Sequence, residues 1–182
     1  GMNVRAFENS MQKFTGHRQA LGTPTVAPFF LLPIKTTTDA LWVYCGATAV
    51  YVTQGSLTGT HKNITRSSGA YSAGTTSQNW TGLVFGGIGI LNNKTVGSTT
   101  TRYPRLFKWS HSSSSNAVPS SWDENSSSLD GGEYSLESTQ GHILNAQALK
   151  DSLIITKEDA IWGASHIGPP FIFRFYEISQ QF

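Results

Sequence analysis

The sequence is poor in cysteine and in charge. Its one cysteine, Cys45, excludes an internal disulfide and a zinc site built from several thiolates, and its apolar neighbours predict a buried, inert thiol. Charged residues make up 13% of the chain, about half the usual share, which argues against a charge-rich helical bundle. The formal net charge of +2 and the lack of a long run of either sign argue against nucleic acid as the main ligand.

Long hydrophobic runs and reaction motifs are also missing. No apolar run, residues 29–32 included, is long enough to cross a bilayer, and the residues after the leading Gly-Met pair do not resemble a signal peptide. The five histidines are scattered without the spacing of a metal site, and no nucleophile elbow or dinucleotide fingerprint occurs. We therefore expect no membrane span, no cofactor and no resident metal.

Short apolar runs separated by turn residues dominate what the sequence does contain. Hydrophobic residues make up 38% and aromatic residues 12% of the 182 positions, with 18 glycines. The runs are rich in branched and aromatic side chains and end at Gly, Asn, Asp or Ser, which is typical of strands joined by turns. The Gly86-Gly87 pair marks one such break. We predict an all-β chain long enough to bury a core.

The order of these runs predicts an N-terminal arm followed by a single all-β domain. Within the domain the strands form about three antiparallel meander units, which resemble β-propeller blades more than evenly spaced sandwich strands. Closed propellers need about four to eight blades, so three would form an open or incomplete ring. The alternative is a β-sandwich or barrel. The predicted ranges are 1–28 for the arm, 29–182 for the domain, 29–66, 80–110 and 140–178 for the units, and 110–138 for a long polar loop.

Rings and acids lie close together in the polar loop. This combination of aromatic and acidic side chains is typical of a sugar site, where rings stack on the sugar face and two acids perform hydrolysis. One alternative is therefore a carbohydrate-binding module that recognises cell-surface glycans, and another is a glycosidase that uses Asp123 or Asp130. Acids in turns are commonly only solvated, so we predict no catalytic residue. The candidate interaction surface consists of Trp122, Asp123, Tyr134, Asp130 and Trp80.

Several motifs that combine tryptophan with particular neighbours resemble those of structural proteins in tailed-bacteriophage virions. The resemblance covers about residues 39–178, and no single motif in it carries a reaction. The motifs are ALWVYCG at 40–46, HKNIT at 61–65, WSH at 109–111, AVPSSWD at 117–123, GGEY at 131–134, DSLIITKED at 151–159, IWG at 161–163 and FIFRF at 171–175.

The resemblance implies a non-enzymatic tail component, similar to the propeller-containing nozzle proteins of short-tailed phages. Such a protein assembles in the host cytoplasm and resides in the virion, where its partners are other tail proteins or copies of itself. The chain is shorter than the resemblance leads us to expect. The span of residues 93–101 is too short to hold the strands of a further blade that the resemblance implies there. On this leading hypothesis most of the tryptophans are buried, structural residues.

Overall fold

The chain folds into β-structure: in the residues that the computed structural model describes, strands alternate with turns and no helix occurs. The predicted all-β class is confirmed. The same residues therefore contain no helix of the length and hydropathy needed to span a membrane. The described residues are 4–7, 10–13, 19, 21–35, 40–54, 58–66, 80–93, 104–111, 122, 124–125 and 130–180.

Two short strands lie inside the predicted N-terminal arm. β1 (Val4–Phe7) and β2 (Ser10–Lys13) pair as an antiparallel hairpin, so part of the arm is regular structure. Farther along, the backbone N–H of Thr25 donates a hydrogen bond to the Tyr44 hydroxyl at 3.2 Å. This contact ties the end of the arm to the sheet that follows it.

The first sheet is a four-stranded antiparallel meander within the predicted unit 29–66. Its central hairpin closes at residues 46–49, where the Gly46 N–H donates to the Ala49 carbonyl at 2.8 Å. Alternate side chains, such as Leu41 and Val43, enter the core from one face. In spatial order the strands are β3 (Phe30–Lys35), β4 (Ala40–Cys45), β5 (Val50–Gln54) and β6 (Lys62–Asn63).

The second sheet begins with a tight hairpin. Gly86 and Gly87 form its two-residue turn with φ of 58° and 80°, values that glycine adopts without strain. The fourth strand, at residues 132–135, lies inside the predicted loop 110–138, so the loop is shorter than predicted. The strand was missed because four mostly polar residues give too weak a pattern to be recognised. The strands are β7 (Trp80–Phe85), β8 (Ile88–Asn93), β9 (Leu106–Trp109) and β10 (Gly132–Ser135).

The third sheet is the longest meander and runs from Ile143 to Gln180, where the sequence predicts a unit over 140–178. Its first hairpin turns at Lys150, which has a positive φ of 53°. A bulge beside Ile161 and Trp162 shifts the register of the last strand pair. The strands are β11 (Ile143–Leu149), β12 (Ser152–Lys157), β13 (Ala160–His166) and β14 (Phe173–Gln180).

The three sheets stack face to face in chain order. Strand β7 contacts β3 on one side and β11 on the other, so the first strands of the sheets are successive neighbours. The middle sheet contributes side chains to both core clusters, and each terminal sheet buries one face against it. None of the sheets formed by the described residues closes into a barrel. The architecture is that of three successive propeller-like blades in an open arrangement.

Two apolar clusters hold the stack together. The cluster between the first and second sheets includes Trp80 and Trp122, and the cluster between the second and third sheets includes Trp109 and Trp162. These four indoles are buried, and Trp42 is partly buried. The prediction that most tryptophans are structural is thereby confirmed.

Candidate interaction surfaces

Trp80 and Trp122 lie in the core, with 4% and 2% of their surface exposed. The Trp80 indole N–H donates to the Gly46 carbonyl at 2.9 Å. The Trp122 ring packs over Gly89, where a Cβ would lie 3.0 Å from ring carbons. The structure corrects the assignment of both residues to an interaction surface, because their rings join two sheets and neither offers a face to a sugar.

Tyr134 and Asp130 lie near the outer strand of the second sheet. Tyr134 is 49% exposed, and its ring stacks on Phe175 with centroids 4.7 Å apart. The Asp130 carbonyl accepts a hydrogen bond from the Trp109 indole at 2.7 Å, and its carboxylate lies 3.6 Å from His111 Nδ1.

The five predicted surface residues do not form one site. Trp80 and Trp122 belong to the core, while Tyr134 and Asp130 lie at a sheet edge. Asp123 lies outside the described residues. A sugar site of the predicted composition would have only Tyr134 as a described stacking platform.

Four charged side chains, two of them almost fully buried and two partly buried, form a network beside the second sheet. Lys108 Nζ lies 2.7 Å from Glu124 Oε2, and both side chains are almost fully buried. Glu133 lies 3.9 Å from the same ammonium and accepts two hydrogen bonds from Arg66. Burial lowers the pKa of Lys108, and the hydrogen bond and charge of Glu124 oppose that shift. The network ties the segment after the first sheet, and the polar loop, to β9 and β10.

A second buried ammonium organises the connection between the second and third sheets. Lys157 is 3% exposed, and its Nζ donates to the carbonyl oxygens of Leu136 and Thr139 at 2.6 and 2.7 Å. The Thr139 hydroxyl accepts hydrogen bonds from Lys157 and from the Trp162 indole. Burial lowers the pKa of Lys157, and the charge of Asp159 opposes the shift. These bonds satisfy the hydrogen-bonding groups of the ammonium and hold the turn at residues 137–139 against β12.

The free thiol is buried in the first sheet. Cys45 has no exposed surface, and burial raises the pKa of its thiol well above the ordinary value. A neutral thiol packed among apolar side chains is a poor nucleophile. The predicted buried position of Cys45 is confirmed.

The side of the first sheet that faces away from the second sheet carries large apolar groups. We call this side the first outer face and define it by Leu31, Pro33, Trp42, Tyr44 and Tyr51, which share it by strand register. Tyr44 and Tyr51 stack with centroids 5.6 Å apart, and Leu31 is 48% exposed. An antiparallel sheet with one solvated face normally alternates apolar and polar residues. This sheet is largely apolar on both faces, although Lys35, Thr53 and Asn63 share the first outer face by register.

A cavity of about 320 Å³ opens between residues 21–29 and the first outer face. Leu31, Tyr44 and His61 contribute to its wall. The Tyr44 hydroxyl and His61 Nδ1 lie 2.6 Å apart, so these two polar atoms bond to each other. The arm thus covers one end of the first outer face and leaves a mainly apolar recess beside it.

The corresponding side of the third sheet is also partly apolar. We call it the third outer face and define it by Ile154, Ile161, Gly163, Arg174 and Tyr176, which alternate with the core residues of their strands. Ile161 and Tyr176 are 37% and 38% exposed. A Cβ at Gly163 would overlap the Tyr176 ring, so the ring lies directly against the backbone of β13. By the same register this side also carries polar residues, so Ile154, Ile161 and Tyr176 form an apolar patch, beside one cation, on a mixed surface; the polar residues are Asn145, Gln147, Ser152, Thr156 and Ser165.

Comparisons with known proteins give no assignment: no protein-family model matches the chain, and a search of curated proteins finds no similar sequence. Within the described ranges, no group of three or more His, Cys, Asp or Glu side chains is placed to hold a metal ion. The fold and its surfaces define a class, an open propeller-like β scaffold with a largely apolar outer face on the first sheet and a mixed outer face, with an apolar patch, on the third.

Sequence reasoning missed both outer faces, although β4 carries a signal for the first. Its sequence, ALWVYC, lacks the polar alternation of a half-solvated strand, and Trp42 and Tyr44 point away from Leu41 and Val43. Continuous apolar strands are typical of sheets covered on both sides. The third outer face has no such local signal, because its members come from three strands and meet only through register.

Proposed function

We propose that the chain is a non-enzymatic structural protein of a tailed-phage virion, which works by packing its terminal sheet faces against other protein. The observation that carries this proposal is the first outer face. Leu31, Trp42 and Tyr51 occupy positions where a solvated sheet would carry polar groups. Rigid rings of this kind supply contact area at low entropic cost.

The buried charges support a structural role. Lys108, Glu124, Glu133 and Arg66 satisfy one another, and Lys157 is satisfied by carbonyl and hydroxyl oxygens. Their bonds join sheets and loops, which stabilises one shape of the stack. The tail and virion parts of the proposal rest on the resemblance of the tryptophan-containing motifs to phage structural proteins.

Mass spectrometry of gradient-purified particles tests the virion assignment. The particles come from the phage that encodes the chain, and the control is a replication protein of the same phage. We expect peptides of the chain at a constant ratio to the major capsid protein through the particle peak, with the control protein absent. Recovery of the chain only in the soluble lysate would contradict the assignment.

A further inference from the structure

The two outer faces lie on opposite terminal sheets of one stack, and this arrangement suggests how they are covered. We infer that a second copy of the chain covers both: the third outer face of each copy packs on the first outer face of the other. Six sheets then form one closed ring with two identical junctions. This inference deepens the proposed function by naming its partner, and it rests on the proposal that the outer faces are contact surfaces.

The number of sheets selects two copies. Closed propellers contain about four to eight blades, so the three blades of one copy are too few and the nine of three copies are too many. Two copies give six. The junction is heterologous, since two different faces meet, and a heterologous contact that closes on itself generates a ring rather than a filament.

The chemistry of the two faces is complementary. The first outer face presents the rings of Trp42 and Tyr51, and the third presents the aliphatic side chains of Ile154 and Ile161. Arg174 also lies on the third outer face, where its guanidinium is exposed and suited to rest on an aromatic ring of the partner. In the described residues neither face carries a carboxylate, and each carries one cation, Lys35 on the first outer face and Arg174 on the third.

The area is adequate for a stable dimer. Four strands ~4.8 Å apart and about six residues long, at ~3.3 Å per residue, give a face of roughly 380 Å². Ring closure buries two faces at each of two junctions, which amounts to at most ~1,500 Å², because residues 21–29 already cover one end of the first outer face. Standard specific interfaces bury about 1,600 Å².

Sedimentation equilibrium and native mass spectrometry of the 182-residue chain test the inference. We expect a species of twice the 19.8 kDa chain mass. Leu31→Lys and Ile161→Lys each place a charge on one face, and each should weaken dimerisation at least tenfold. Ile167→Lys is the matched control, because Ile167 is 52% exposed and lies in the turn after β13. It should leave the dimer intact, and circular dichroism should show all three variants folded.

Mixing the two face variants tests the head-to-tail pairing. Each homodimer carries a lysine at both junctions, whereas a mixed dimer has one junction with two unaltered faces. The mixture should therefore associate at least tenfold more tightly than either variant alone. A monomeric wild-type chain, a dimer insensitive to either variant, or a mixture that associates no better than its components would overturn the inference.

The failure of this inference and the failure of the proposed function have different signatures. A chain that is monomeric in solution but present in purified particles would overturn the second copy as partner and leave the virion role in place. A chain that dimerises but never enters particles would overturn the virion role and leave the second copy as partner in place.

Discussion

At the residue scale, the tryptophans show what composition can and cannot predict. Their abundance in short branched runs correctly predicts a structural role for most of them. The positions of Trp80 and Trp122 were not predictable, because their burial depends on contacts far away in sequence. Trp122 packs over Gly89, and Trp80 donates to Gly46, and neither partner is marked by spacing.

Gly163 provides a residue-scale test of the third outer face. A Cβ at this position would overlap the Tyr176 ring, so Gly163→Ala should displace the ring and destabilise the fold by about 1–2 kcal/mol. Urea unfolding at one fixed protein concentration measures the change.

The same substitution in a Tyr176→Ala background is the control. Without the ring, alanine suits a strand interior better than glycine, so the substitution should be neutral or stabilise the fold by up to ~1 kcal/mol. An equal loss of stability in both backgrounds would show that the Tyr176 contact does not require glycine.

At the element scale, the hairpins were the most predictable features. Strong apolar runs on either side of Gly46 predict β4 and β5, and the structure pairs them in that way. The strand β10 was missed because Gly132–Ser135 is short and polar. It is held by its pairing with β9 and by the charges around Glu133, which a local pattern cannot reveal.

The ion pair between Lys108 and Glu124 gives an element-scale prediction. Lys108→Met removes the buried ammonium that contacts both Glu124 and Glu133, so it should destabilise the fold by about 3–5 kcal/mol. In the double variant Lys108→Met and Glu124→Leu most of that loss should be recovered, because both charges are gone. Thermal or urea unfolding of the four proteins measures the coupling. Strictly additive losses would mean that the two side chains do not stabilise each other.

At the scale of the whole molecule, the sequence predicts three meander units but not how their faces are used. Strong apolar runs predict the units 29–66 and 140–178, and the strands of the first and third sheets arise from those runs. The stacking order follows from β7 lying between β3 and β11, a long-range arrangement that local periodicity does not encode. The stacking order places the first and third outer faces at the two ends of the stack. Only this placement shows that their apolar side chains face away from the rest of the chain.

Hydroxyl-radical footprinting at protein concentrations below and above the association range tests the central claim, that the outer faces are contact surfaces. The reactivity of Leu31, Trp42 and Tyr176 should fall as the chain associates, because these side chains become covered. Tyr134 and Phe171, which are 49% and 72% exposed and lie on neither outer face, should react equally at both concentrations. Unchanged reactivity on both outer faces, with protection at Tyr134 and Phe171 instead, would contradict the account.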